Sequence, residues 1–139
     1  MSECVFCDIV AKQAPASVVY EDDSILGFMD LYPATIGHVI VIPKAHASNL
    51  AALPPRAEES IASAGREIGA AIYKPLQCEG LNWVVADGEV ARQDIFHVHL
   101  HLVPRYTNDG FGFRHPPGYP HEIPRDQLDN TASNILNAL

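Results

Sequence analysis

His97-Val98-His99-Leu100-His101-Leu102 alternates strictly between imidazole and apolar side chains, and its reading decides the fold around it. On an extended strand, residues i, i+2 and i+4 share a face. That aligns the three histidines and turns Val98, Leu100 and Leu102 to the other side. On a helix the same residues would scatter around the axis. The stretch is therefore predicted to be the middle of a strand over residues 95–104 (IFHVHLHLVP).

Strand geometry also limits the chemistry. At a rise of about 3.3 Å per residue, neighbouring histidines stand roughly 6.6 Å apart and the outer two about 13 Å. One zinc binds imidazole nitrogen at about 2.0–2.1 Å, so three ligands on one straight strand cannot converge on it. The histidines must divide their labour. A neutral imidazole can attack phosphorus and form a covalent phospho-histidine that water later cleaves. Its neighbours can hydrogen-bond phosphate oxygens or protonate a leaving group, since imidazole titrates near working pH.

Outward from this strand, the chain reads as alternating short elements. Residues 17–21 and 24–30 are strand-like runs broken at Glu21-Asp22-Asp23, the pattern of a hairpin. Residues 37–43 (GHVIVIP) are β-branched and read as a central strand, and residues 81–86 (LNWVVA) as another. Between them, residues 54–73 place Ile61, Ala64, Ile68, Ala71 and Ile72 at helical spacing after Pro54-Pro55 and the first-turn acids Glu58 and Glu59. Pro75 is expected to stop this helix. Cys4–Ala11 reads as a turn or one to two helical turns. Residues 106–139 form an irregular Gly- and Pro-rich tail with a short helix expected over 127–139. The sum is α+β: a five-stranded, mainly antiparallel sheet with one long helix, in one domain spanning 1–139 whose core ends near residue 105.

Composition narrows the partners. The 139 residues carry 17 acidic and 9 basic side chains, a formal charge of −8. Non-specific nucleic-acid binding and attachment to an anionic membrane both need a basic footprint that this chain lacks. Residues 1–10 have neither a basic leader region nor a long apolar run, and three cysteines cannot all pair internally. A cytoplasmic setting with reduced thiols is the expectation. Cys4-Val5-Phe6-Cys7 has the spacing that lets two thiolates reach one zinc. It is also the spacing of a redox pair, or of two buried thiols. With no second such pair, any tetrahedral site must be completed by histidines.

At this point the residues match a known family. The run Gln93-Asp-Ile-Phe-His-Val-His-Leu-His-Leu-Val-Pro-Arg105 closely resembles the signature of histidine-triad (HIT) proteins. CVFCDIV, VVYEDDSILGFMD, GHVIVIPKAH and GLN also fall in that family's order and spacing. The resemblance is to the purine nucleoside phosphoramidase-like (Hint-type) branch. It implies a homodimer joining two five-stranded sheets, and hydrolysis or transfer at the α-phosphate of a purine nucleotide such as AMP or an adenylylated small molecule. It assigns His99 as nucleophile, His101 as phosphate ligand and leaving-group acid, and His38 as their support. Asp30 and Leu31 would hold the ribose, Gln93 and Asp94 would lie against the phosphate, and Phe6, Ile9 and Val19 would wall the base pocket. It also implies a structural zinc on Cys4, Cys7, His46 and His97, with no organic cofactor. Ala86, Arg92 and Asp94 depart from residues the family often carries there. Dinucleoside polyphosphate hydrolysis and a non-catalytic nucleotide-binding or zinc-stabilised interaction module remain as alternatives, the latter favoured by Ala86 and Asp94.

Overall fold

The computed structural model describes residues 3–139. A one-and-a-half-turn helix, α1 (Val5–Val10), leads into the hairpin strands β1 (Val18–Glu21) and β2 (Ile25–Met29), followed by β3 (Val39–Pro43). The long helix α2 (Ala57–Leu76) then crosses to β4 (Gly80–Val85), β5 (Leu100–Arg105) and a terminal helix α3 (Arg125–Ala138). Among the described residues, the five strands form one antiparallel sheet in the order β1-β2-β3-β5-β4. The expected fold class is the observed one. No helix among these residues is long and apolar enough to cross a membrane.

The period-2 rule sorts the sheet into two faces. One carries Ile25, Val39, Val41, Leu100 and Leu102, which pack against Ile61, Ala64, Ile68 and Ile72 of α2. The other carries Leu26, Phe28, Ile40 and Ile42 and is covered by Phe6 of α1. Because β2 and β3 are buried on both faces, they read as continuous apolar runs rather than alternating ones. His101 pairs with Ile40 across the β3–β5 ladder and therefore belongs to the α1 face.

Most boundaries shift by one to three residues from the sequence expectation, and three of the differences have an instructive cause. The histidine strand begins at Leu100, not at residue 95, so His97 and His99 precede it. The reason lies in the backbone. Val98 N–H donates to the carbonyl of Ala47 at 2.8 Å, which draws residues 97–99 toward the loop after β3 instead of into its ladder. The long helix runs through Pro75 to Leu76 before Gln77 turns left-handed. A proline in the last turn forfeits one hydrogen bond but can keep a helical φ. The terminal helix starts at Arg125, two residues ahead of the expected 127, directly after Pro124, whose fixed φ suits a helix start.

One glycine sets the entry to the site. Gly37 has φ +90°, and a Cβ there would collide with Leu76 and sit 3.3 Å from Pro104 Cγ. The turn over Asp30–Gly37 is closed by hydrogen bonds from Asp30 N–H to His38 C=O (2.9 Å) and from Thr35 Oγ1 to Pro104 C=O (2.6 Å). Gly37→Ala is expected to lower stability in urea unfolding by about 1–3 kcal/mol through left-handed strain, and to displace His38 with it. Unchanged stability would contradict this view of the turn.

Candidate active site

Four histidines meet on the α1 face, and their backbone contacts fix the proton on each ring. His99, buried at the approach to β5, lies with its Nδ1 2.7 Å from the carbonyl of His97. A carbonyl can only accept, so Nδ1 carries the proton and Nε2 presents a lone pair. At His38 the order is reversed. Ala34 N–H donates to Nδ1 at 3.1 Å, which puts the His38 proton on Nε2. That nitrogen lies 2.9 Å from His101 Nδ1 and donates to it, so His101 carries its own proton on Nε2. The result is a lone pair on His99 beside a ring nitrogen bearing a proton on His101, with centroids 4.6 Å apart at 72°.

Electrostatics keep the His38 and His101 rings neutral. Burial, then the neighbouring His99 and His38, push His101 down to about 4. Burial also lowers His38, opposed by the Asp30 carboxylate and reinforced by His99. Asp30 Oδ2 lies 3.4 Å from His38 Nδ1, while Oδ1 accepts from Tyr32 N–H at 2.8 Å. It is therefore both a turn acid and a neighbour of the histidine relay.

Beside the relay opens a cavity of about 660 Å³ lined by Phe6, Ile9, Phe28, Asp30, Leu31 and Ile95 among others. Its lining is mainly apolar, with the Asp30 carboxylate and the Ser17 and Tyr32 side chains as its polar members, which suits a flat heteroaromatic ring with a polar appendage. Phe6 belongs to both this wall and the His99 environment.

A second cluster joins Cys4, Cys7, His46 and His97, whose ligand atoms all lie within 4.8 Å of one another. His97 Nε2 lies 2.8 Å from the carbonyl of Pro43 and donates to it, leaving the Nδ1 lone pair for the cluster. From that Nδ1, His46 Nδ1 stands at 3.3 Å, Cys4 Sγ at 3.5 Å and Cys7 Sγ at 3.7 Å. Tetrahedral zinc with bonds of about 2.0–2.1 Å to nitrogen and 2.3 Å to sulfur needs N–N edges of about 3.3 Å and N–S edges of about 3.6 Å. The donor set and its spacing fit zinc. The split into two sites answers the strand argument: His97 faces the cysteines, while His99 and His101 face each other.

Two sequence expectations, Gln93 and Val19, land elsewhere, while Asp94 is close enough to contribute to the field at His101. Gln93 is buried, with Oε1 accepting from Gly88 N–H (2.8 Å) and Nε2 donating to the carbonyls of Ser48 (2.8 Å) and Ile95 (3.2 Å), so its amide is spent on backbone. Asp94 is exposed, on the rim of a cavity that it shares with Cys4, His46 and Ser48. Val19 does not reach the site face. It lines a separate groove of about 410 Å³ between α2 and the sheet. Sequence reasoning missed the backbone partners at His97, Ala34 and Pro43, which no side-chain pattern announces.

Comparison with known proteins gives the architecture a family. Residues 11–108 match the HIT domain. The chain is 37% identical over 140 residues to Protein hit of Bacillus subtilis, covering 98% of this chain and 94% of that one. It is also 37% identical over 108 residues to adenylylsulfatase HINT3 of Arabidopsis thaliana, covering 78% of this chain and 55% of the relative. Among solved structures, a HIT family protein from Bacillus anthracis superposes with a TM-score of 0.90 at 40% identity, covering 99% and 98% of the two chains. A zinc-bound histidine triad family protein from Mycobacterium smegmatis gives 0.76 at 37% identity, with the same coverage. The chain is a member of the HIT family.

Proposed function

We propose that the protein is a nucleotidyl hydrolase or transferase that acts at the α-phosphate of a nucleoside phosphoramidate or related purine nucleotide through a covalent intermediate on His99. The observation that carries this reading is the tautomer relay: Ala34 N–H to His38, His38 to His101, and His99 to the carbonyl of His97. It leaves one nucleophilic nitrogen and one donor side by side. The family relatives that act on an adenylyl group or bear zinc support the same reading.

In this mechanism the base occupies the cavity walled by Phe6 and Ile9, the ribose lies against Asp30 and Leu31, and the α-phosphate sits between His99 and His101. Binding of the α-phosphate raises the proton affinity of His101. The added proton goes to Nδ1, which gives up the hydrogen bond it accepts from His38 in the free protein, and His101 enters the reaction as a cation with Nε2–H toward the leaving group. His99 Nε2 then bonds phosphorus as the P–N bond to the amine breaks. His101 gives its Nε2 proton to the departing nitrogen. Positive charge that develops on the His99 ring spreads to Nδ1–H, where the His97 carbonyl holds it. Water next attacks phosphorus, returns a proton to His101 and frees His99. Asp94 interacts electrostatically with His101, so an anionic polyphosphate leaving group is disfavoured relative to an amine. Gln93 acts by shaping the loop rather than by direct phosphate contact.

Zinc, when bound at Cys4, Cys7, His46 and His97, supplies a closed four-ligand structural centre that ties α1 to the sheet. The chain works as a homodimer through the free edge of β4, where Trp83 and Val85 are 45% and 40% exposed. The whole chain forms a single domain with a peripheral tail.

Turnover of an adenosine phosphoramidate to AMP should fall by about 10³-fold or more in His99→Ala, in line with loss of a covalent catalyst. Equal rates would refute the assignment. Metal analysis should find about one zinc per chain, lost in Cys7→Ser together with a lower melting temperature; metal-free wild type would refute the centre. His101 has a folded-state value below its unfolded one, so the stability it contributes is intact above about pH 6.5 and is lost as pH falls toward about 4. Urea unfolding should therefore show a slope of up to about 1.4 kcal/mol per pH unit in that window, reduced in His101→Asn. A wild-type profile matching the variant's would contradict the neutral relay.

A further inference from the structure

The two clusters share one residue, Phe6, whose place in the wall of the base cavity accounts for only part of its contacts. Phe6 lies between the cysteines of the Cys4–Cys7 turn, and its ring is only 3% exposed. It meets His97 edge-on at 5.8 Å and 76°, His99 at 5.2 Å and 79°, and Phe28 at 5.5 Å and 69°. The His99 ring thus meets two rings at steep angles, Phe6 at 5.2 Å and His101 at 4.6 Å. The hydrogen bond to the His97 carbonyl anchors one edge of the imidazole. The torsion that turns this ring about its Cβ–Cγ bond is intrinsically broad, and the Phe6 edge closes off that freedom.

What holds Phe6 in place is weak on its own. Helix α1 has six residues and no side-chain cap at its start, far below the length at which a helix is stable in isolation. Its anchors are the burial of Phe6 and Asp8, the packing of Ile9 and Val10 on the same core, and the donors at Cys4 and Cys7. A metal that closes the cysteine turn fixes the backbone on both sides of Phe6 at once.

We propose that Phe6 is a positioning residue that couples occupancy of the Cys4/Cys7/His46/His97 centre to the orientation of the His99 imidazole; this rests on the reading of His99 as nucleophile and of the four-ligand cluster as a zinc site. The metal then acts on the reaction without touching substrate. It steadies the turn, the turn steadies the Phe6 ring, and the ring keeps His99 Nε2 aimed at phosphorus.

A four-cornered comparison tests the coupling. Wild type and Phe6→Ala are each prepared zinc-loaded and chelator-stripped. Three readouts follow: zinc content, the slowly exchanging His99 Nδ1–H proton in NMR, and turnover of an adenosine phosphoramidate. Zinc-loaded Phe6→Ala should keep about one zinc per chain yet lose the Nδ1–H signal; kcat should fall about tenfold or more, and KM should rise as well because Phe6 also walls the base cavity. Stripping wild type should reproduce both losses, and stripping Phe6→Ala should add no more than about twofold. Phe6→Leu, which refills much of the volume, should recover most of the signal; if Phe6→Ala does not fold, Phe6→Val takes its place in the cycle. Losses that multiply in stripped Phe6→Ala would overturn the coupling, as would an unchanged Nδ1–H in stripped wild type, or wild type that holds no zinc. A signal that follows zinc and Phe6 in a protein without turnover would sustain the coupling while refuting the catalytic reading.

Discussion

The 2.7 Å hydrogen bond between His99 Nδ1 and the carbonyl of His97 is the constraint on which the site depends. It exists because the chain leaves the β3 ladder before Leu100, freeing a carbonyl that a regular antiparallel pair could have consumed. In a continuous strand that carbonyl would point sideways toward a neighbour, and the imidazole of His99 would stand away from it. The same departure turns His97 toward Cys4, Cys7 and His46, and lets its other nitrogen reach the carbonyl of Pro43. One local irregularity therefore separates two chemistries that a straight strand would have spaced but not oriented.

The second requirement is a dry, crowded face. Phe6, Phe28 and Ile40 surround the histidines, and burial of His38 and His101 holds them neutral. Neutral rings matter because a relay of donors and acceptors has a defined direction only when each imidazole carries one proton. Helix α2 works from the opposite side of the sheet. It packs on Val39, Val41, Leu100 and Leu102, and thereby sets the registers of β3 and β5 that bring Ile40 opposite His101.

Much of this was legible in the sequence. The runs around Val39–Pro43 and Gly80–Val85, the periodic Ile61, Ala64, Ile68 and Ile72, and the five-stranded order of magnitude all followed from apolar patterning. The pairing of Cys4 and Cys7 with His46 and His97 came from the family resemblance, and the structure brings the four together. Backbone polar groups were not legible. Alternation at residues 97–101 argues for a strand and carries no sign that Ala47 will capture Val98 N–H. Gln93 resembled a phosphate ligand by position, but its buried amide closes its own loop through Gly88, Ser48 and Ile95. Val19 shared the apolar character of a pocket wall, yet it lies on the groove under α2. Side-chain type fixed the inventory of the site, and main-chain geometry assigned the roles.

The proposed chemistry rests on the Nε2 lone pair that the His97 carbonyl leaves on His99. Peptide mapping by mass spectrometry, after rapid quenching of the protein with an adenosine phosphoramidate, tests it most directly. The account expects a nucleotidyl adduct on His99 that forms and decays at rates compatible with turnover. An adduct on His38, His97 or His101, or turnover with no adduct at any histidine, would contradict it.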